Sequence, residues 1–242
     1  MRLAQLLFSQ GFGSRRACQT LIANDSVRLG DRVLRDPDEE LAIDGLVLEV
    51  DGQPWPVHAK AVLMLNKPAG FECSRLPQRH PPVLSLLPQP LRERGVQPVG
   101  RLDQDTTGLL LLTDDGALSH RLTSPRHHVT KVYEVGTRDA VDDVLVARLL
   151  EGVLLRDDAT PARAAACERT GEHALRLTLT EGRYHQVKRM LAAAGHRVQT
   201  LHRSAIGTLR LPDALAPGQW RWLIADELAT LRTPPQPFAG PS

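Results

Sequence analysis

GRLDQDTTGLLLLTDDG, residues 100–116, is the stretch from which the fold is read. Its LLLLT run at 109–113 has strand length. Gly108 bounds it on one side and the Asp114-Asp115-Gly116 turn on the other, so it reads as a strand buried on both faces. A charge at the mouth of such a strand costs desolvation unless something uses it, and Asp103 and Asp105 stand there. If the segment is extended, a spacing of two sets both on one side, where a carboxylate pair can do general acid and base work. The same groups can instead bond turn amides. The residues alone leave both readings open.

Outward from this strand, KVYEV at 131–135 alternates as a strand does and carries Tyr133, one of two tyrosines in the chain. LRLTLT at 175–180 reads as another strand. GRYHQVKRMLAAAGH at 182–196 reads as a helix, with Val187, Met190, Leu191 and Ala194 at helical spacing and Gly195 as its stop. From 183 to 210 there are six basic residues and no acidic one, a one-signed stretch that attracts phosphate.

The N-terminus has its own grammar. Leu3, Leu6 and Leu7 follow helical spacing, Gly11 and Gly13 interrupt it, and Ser14 is placed to cap a second helix with Ala17, Cys18, Leu21 and Ile22 as its apolar stripe. Arg15 and Arg16 fall off that stripe, and VRLGDRVL at 27–34 reads as a hairpin turning at Gly30-Asp31. Residues 1–35 hold six arginines against two aspartates, whereas 36–60 hold seven acids against one lysine. Basic patches of this kind are what phosphate binding requires, although the whole chain is only +2. DGQPWPVHAK at 51–60 reads as a linker, and RTPPQPFAGPS at the end as a disordered Pro-rich tail.

Composition excludes several classes. Cys18, Cys73 and Cys167 are far apart with no CxxC pair, which suggests neither a disulfide framework nor a zinc site and fits a reduced, cytoplasmic setting. No apolar run reaches membrane-spanning length, and the first residues lack the pattern of a cleaved leader. His127, His128, His185, His196 and His202 show no ligand spacing with a supporting carboxylate, and no phosphate-loop or dinucleotide fingerprint appears.

Four ordered stretches carry a resemblance: LMLNKPAGFECS at 63–74, GRLDQDTTGLLLLTDDG at 100–116, SPRHHVTKVYEV at 124–135 and EGRYHQVKRMLAAAGHRV at 181–198. Together they resemble the pseudouridine synthases of the RsuA and RluA superfamily, and the last two are most similar to its small-subunit RsuA branch. Residues 1–50 resemble the alpha-L RNA-binding module of a small-subunit ribosomal protein. The resemblance implies an α+β fold: that module at 1–50, a linker at 51–60, a catalytic domain at 61–232 with a mixed, largely antiparallel sheet, and a tail at 233–242.

It also implies roles. Asp103 takes the position of the family's catalytic aspartate, acting as nucleophile or base. Tyr133 takes that of the tyrosine stacking on the target uracil, and Lys188 that of the basic residue paired with the aspartate, which it would keep ionised. Arg101 takes that of the arginine filling the space of a nucleotide flipped from its helix. Arg15, Arg16, Lys67, Arg126, Lys131, Arg183, Gln186 and Arg189 are the remaining RNA-contact candidates. The expected activity is isomerisation of a uridine in 16S rRNA, free or in an assembling small subunit, by a monomer needing no cofactor, metal or membrane. A 23S rRNA enzyme, a non-catalytic ribosome-assembly factor, and a hydrolase built on Asp103 and Asp105 are the alternatives.

Overall fold

The computed structural model describes residues 1–74, 76–156 and 158–232; the tail expected at 233–242 lies outside them. The chain divides into two compact units. None of its helices among the described residues is long and apolar enough to cross a membrane.

The first unit opens with α1 (Leu3–Gln10) and α2 (Arg15–Ala23). Leu3, Leu6 and Leu7 of α1 and Cys18 and Ile22 of α2 are buried, as the apolar spacing requires. Ser14 Oγ accepts from Ala17 N at 3.2 Å, satisfying one of the free amides of the α2 start. Four short antiparallel strands follow, β1 (Val27–Leu29), β2 (Arg32–Val33), β3 (Val47–Val50) and β4 (Gln53–Pro56), in the order β2-β1-β3-β4. Gly30 opens the β1–β2 turn at φ 57°.

The segment expected as a linker is therefore structured. β4 pairs with β3 from Val47↔Pro56 to Val50↔Gln53, Trp55 and Val57 are buried, and the Trp55 ring meets Phe12 edge-on at 4.9 Å. Its prolines fit because β4 is the edge strand of this sheet, where a missing N–H breaks no inner ladder. Nor does the unit end at residue 50, as expected for the module: its first segment runs to Ala61. It includes 84–97 and 113–115, so the chain returns to it twice. Arg94 shows why: its guanidinium bonds Asp114 Oδ2 at 2.5 Å, Gln10 Oε1 at 2.7 Å and the carbonyls of His58 and Ala59 at 2.7 and 2.9 Å.

The second unit is built on a mixed sheet, nine-stranded among the described residues. Its strands are β5 (Val62–Lys67), β6 (Gln97–Pro98), β7 (Thr107–Thr113), β8 (Lys131–Thr137), β9 (Ala166–Gly171), β10 (Ala174–Leu179), β11 (Val198–Ile206), β12 (Leu209–Arg210) and β13 (Trp220–Trp222). They run β13-β5-β7-β11-β8-β10-β9, with β12 on β11 and β6 on β7. β7 and β11 pair in parallel, whereas β8–β10, β9–β10, β8–β11, β11–β12 and β5–β13 are antiparallel, so the sheet is mixed and largely antiparallel, as expected. The helices are α3 (Gln89–Glu93), which belongs to the first unit, then α4 (Gly116–Thr123), α5 (Asp143–Glu151), α6 (Gln186–Ala193) and α7 (Ala225–Arg232).

Leu109 to Leu112 have no exposed surface, which is the two-sided burial read from LLLL. Leu109 and Leu111 pack with Val62 and Met64 of β5 and with Leu118 and Leu122 of α4. This core fixes the strand whose mouth carries Asp103.

Candidate active site

Residues 103–106 form a turn, with Thr106 N donating to the Asp103 carbonyl at 3.1 Å, so the two aspartates do not lie on an extended segment. They converge nonetheless. Lys188 Nζ, on the first turns of α6, is 2.6 Å from Asp105 Oδ1 and 3.1 Å from Asp103 Oδ2. His185 Nε2 lies 3.2 Å from the other Asp103 oxygen, Oδ1. Burial raises the Asp105 pKa, but the Lys188 hydrogen bond and charge outweigh it and hold the carboxyl below its ordinary value. For Lys188, burial pushes down while its bonds to Asp105 and Asp103 push up, and the net shift is upward. Lys188 thus pairs with both carboxylates, more closely with Asp105.

What holds this turn is Lys67, at the end of β5. It has no exposed surface, and its ammonium donates to the carbonyls of Thr106 (2.9 Å), Asp103 (3.0 Å), Pro68 (3.1 Å) and Gln104 (3.2 Å). The expectation that Lys67 contacts RNA is corrected: a cation enclosed by four carbonyls positions the loop and reaches nothing outside. Burial pushes its pKa down.

Asp103, Asp105 and Lys188 border a cavity of about 770 Å³, also lined by Arg101, Lys131, Tyr133, Tyr184, His185 and Arg203. Tyr133 is nearly buried on β8, directly opposite Arg203 of β11. Arg101 is exposed at the cavity. The cavity is large enough for a nucleotide base and part of its ribose. It sets an ionic cluster beside a tyrosine, a geometry suited to gripping a planar ring close to a carboxylate.

Other residues expected on RNA are placed differently. Gln186 is buried; its Oε1 accepts from Arg183 N at 2.8 Å and its Nε2 donates to Glu181 Oε1 at 2.6 Å. It is an architectural residue, so its reading as an RNA contact is corrected. Arg183 is taken up by Glu181 (3.1 Å), Asp158 (3.6 Å) and the Thr160 carbonyl (2.7 Å). Arg189 bonds Asp158 at 3.2 Å and the Arg156 carbonyl. Both guanidiniums are internally engaged while remaining partly exposed. Glu181, two residues before Arg183, and Asp158, distant in sequence, answer them. Lys131 lines the cavity, half-buried, with Nζ donating to the Val129 carbonyl at 3.0 Å. Arg126 is exposed on a short 3-10 segment, Pro125–His127. Arg15 and Arg16 are exposed on α2, with the Arg15 guanidinium 5.3 Å from the Phe8 ring.

Sequence reading missed three cavity residues, His185, Tyr184 and Arg203. His185 was grouped with the histidines set aside as metal ligands, yet it takes φ 47° immediately before α6 and faces Asp103. Tyr184, largely exposed, stacks on it at 3.8 Å. Arg203 is only 3% exposed and donates from Nε to the Leu109 carbonyl at 2.8 Å. Its one signal was an arginine inside an otherwise strand-like run. The structure also alters the expected helix: GRYH at 182–185 is a turn, and α6 begins at Gln186.

Known proteins resemble this chain along nearly its whole length. A family model described as RNA pseudouridylate synthase matches residues 61–193, and an S4 domain model matches 1–45. The ribosomal small subunit pseudouridine synthase A of Pasteurella multocida (strain Pm70) is 41% identical over 231 residues, covering 95% of this chain and 99% of that protein. The Escherichia coli (strain K12) protein of the same name is 39% identical over 237 residues, covering 96% and 100%. A solved structure titled as a pseudouridylate synthase superposes with a TM-score of 0.68 at 35% identity, covering 96% of this chain and 99% of that one.

Proposed function

The chain belongs to the RNA pseudouridylate synthase family, and from that premise we propose that it converts one uridine of 16S rRNA to pseudouridine, with Asp103 as the essential carboxylate. The observation that carries this is the Asp103 carboxylate, fixed between Lys188 and His185 at the edge of a cavity with Tyr133 in its wall.

The reaction detaches uracil from its ribose, turns it and rejoins it through a ring carbon. It therefore needs a carboxylate beside the glycosidic bond and a surface that keeps the free ring. In our reading Asp103 acts at that bond, Lys188 holds the carboxylate in place, and Tyr133 stacks on the uracil. Arg101 fills the gap left by the flipped nucleotide. The first unit holds the RNA through Arg15 and Arg16, and Arg126 adds a phosphate contact. The protein acts as a cytoplasmic monomer, the second unit doing the chemistry.

Purified protein and its Asp103→Asn variant, each incubated with unmodified 16S and 23S rRNA, test this by chemical labelling and primer extension. One new pseudouridine in 16S rRNA, absent with the variant, is expected. A site in 23S rRNA, or full activity of the variant, overturns the reading.

A further inference from the structure

β8 and β11 lie side by side with Tyr133 opposite Arg203, and Lys131 is two residues from Tyr133 on the same strand. The pleat therefore puts Lys131, Tyr133 and Arg203 on one face of the sheet, and all three line the Asp103 cavity. Two cations thus flank the ring that stacks on uracil. Neither makes an ion pair with a carboxylate among the described residues. Lys188, by contrast, is engaged with both aspartates.

These cations also have donors to spare. Arg203 uses Nε on the Leu109 carbonyl, while one terminal nitrogen is buried with no partner. Buried donors are nearly always satisfied, so an orphan on a residue that lines the cavity is a donor left over for a ligand entering it. Lys131 gives one hydrogen bond to Val129 and has two more N–H groups to offer. Burial, and secondarily the Arg203 charge, push its pKa down to about 8, so the two cations sit close enough to repel. Placing like charges together in a dry site is costly unless something negative arrives there.

We propose that Lys131 and Arg203 grip the uracil at its carbonyl oxygens and carry the negative charge that the ring acquires while it is detached from the ribose. This rests on the reading of the Asp103 cavity as the active site. When the C1′–N1 bond breaks, its electron pair stays with the ring and spreads over N1 and the two carbonyl oxygens. After the ring turns, C5 supplies the pair that forms the new bond to C1′. The C5 proton then leaves and N1 takes one up, so the product is an isomer of the substrate. The ring is most negative between the two bond changes. Donors aimed at its carbonyls bind it more tightly then than in the neutral ground state, which is what accelerates a reaction.

The test is single-turnover kinetics with wild type, Asp103→Asn, Lys131→Gln and Arg203→Gln on 16S rRNA transcripts carrying either uridine or 5-fluorouridine. Fluorine makes the ring a better anion, so the fluorinated base depends less on the two cations. Each glutamine variant is expected to slow uridine conversion about 100-fold. It is expected to slow consumption of 5-fluorouridine about tenfold or less, with RNA affinity close to wild type. Equal defects on both substrates, or no defect, overturn the proposal. No product with wild type, or full activity of Asp103→Asn, instead sinks the active-site reading and this proposal with it. If a glutamine variant fails to fold, as judged by its melting transition, Lys131→Arg decides: it keeps a cation, and a fall as large as that expected for glutamine refutes the role.

Discussion

Lys67 shows what one side chain can do for a loop it never leaves. Its ammonium gathers four carbonyls, three of them from residues 103–106, and so sets the height at which Asp103 meets the cavity. Lys67→Met fills similar volume but orphans those acceptors, each costing about 1–3 kcal/mol where water cannot replace the donor. The variant is expected to lose about 3–5 kcal/mol in denaturant titration. It should also lose single-turnover rate at low temperature, where it is still folded; a rate equal to wild type there would mean the turn needs no clamp. Asp105 gives a pH test. Its folded pKa lies below its ordinary 3.8, so its contribution to stability is complete above that value and lost as pH falls through the depressed one. Lys188 is shifted upward, so its contribution is lost only above its ordinary 10.5. Asp105→Asn is thus expected to flatten the fall in melting temperature below pH 4 and to leave its slope between pH 6 and 9 unchanged. At this scale the sequence showed charge but not burial. Lys67 and Gln186 were read as RNA contacts because nothing in KPAG or YHQV discloses that their polar ends turn inward.

At the scale of elements, β7 was legible and α6 only in part, for related reasons. LLLL between two turn signals admits little besides a buried strand, and Leu109 to Leu112 are wholly buried. GRYHQVKRML is compatible with helix throughout, yet Gln186 draws the Arg183 amide onto its side chain and His185 swings to positive φ, so the helix starts late. Those bonds belong to tertiary structure, which periodicity does not report. Gly108 links both observations to function. It has φ 101°, and a Cβ there would collide with the backbone O and N of Arg203, its partner across the parallel β7–β11 pairing. Only glycine lets β11 come close enough for Arg203 to reach the Leu109 carbonyl. Gly108→Ala combines unfavourable φ with a backbone clash and is expected to cost about 2–4 kcal/mol. Because the displaced strand carries Arg203, conversion should fall further than stability explains. A variant as active and stable as wild type would show that the approach is not needed.

Across the whole molecule, the function proposed above puts recognition in one compact unit and chemistry in the other, and that division has measurable consequences. The boundary itself was poorly legible. DGQPWPVHAK looked like a linker because proline signals a break, whereas here it occupies a sheet edge, and the returns at 84–97 and 113–115 depend on Arg94 and Asp114, which no local pattern links. The four ordered motifs were legible because chemistry fixes residue types more tightly than packing does. If Arg15 and Arg16 hold phosphates while Asp103 acts on the base, their losses should separate in the kinetics. Each neutralised phosphate contributes about 0.9 to the slope of log affinity against log salt on duplex and about 0.7 on single strands. The double variant Arg15→Ala, Arg16→Ala should therefore weaken rRNA binding and reduce that slope by about 1.4–1.8. The single-turnover rate at saturating RNA should stay within about twofold of wild type, since phosphate contacts position the substrate without touching the reacting atoms. Asp103→Asn should do the converse, leaving affinity and slope alone and removing the reaction. Filter binding from 50 to 300 mM salt, alongside rapid-quench kinetics, measures both. An unchanged slope in the double variant would move the RNA contact off α2 and onto the exposed cations of the second unit, Arg126 foremost.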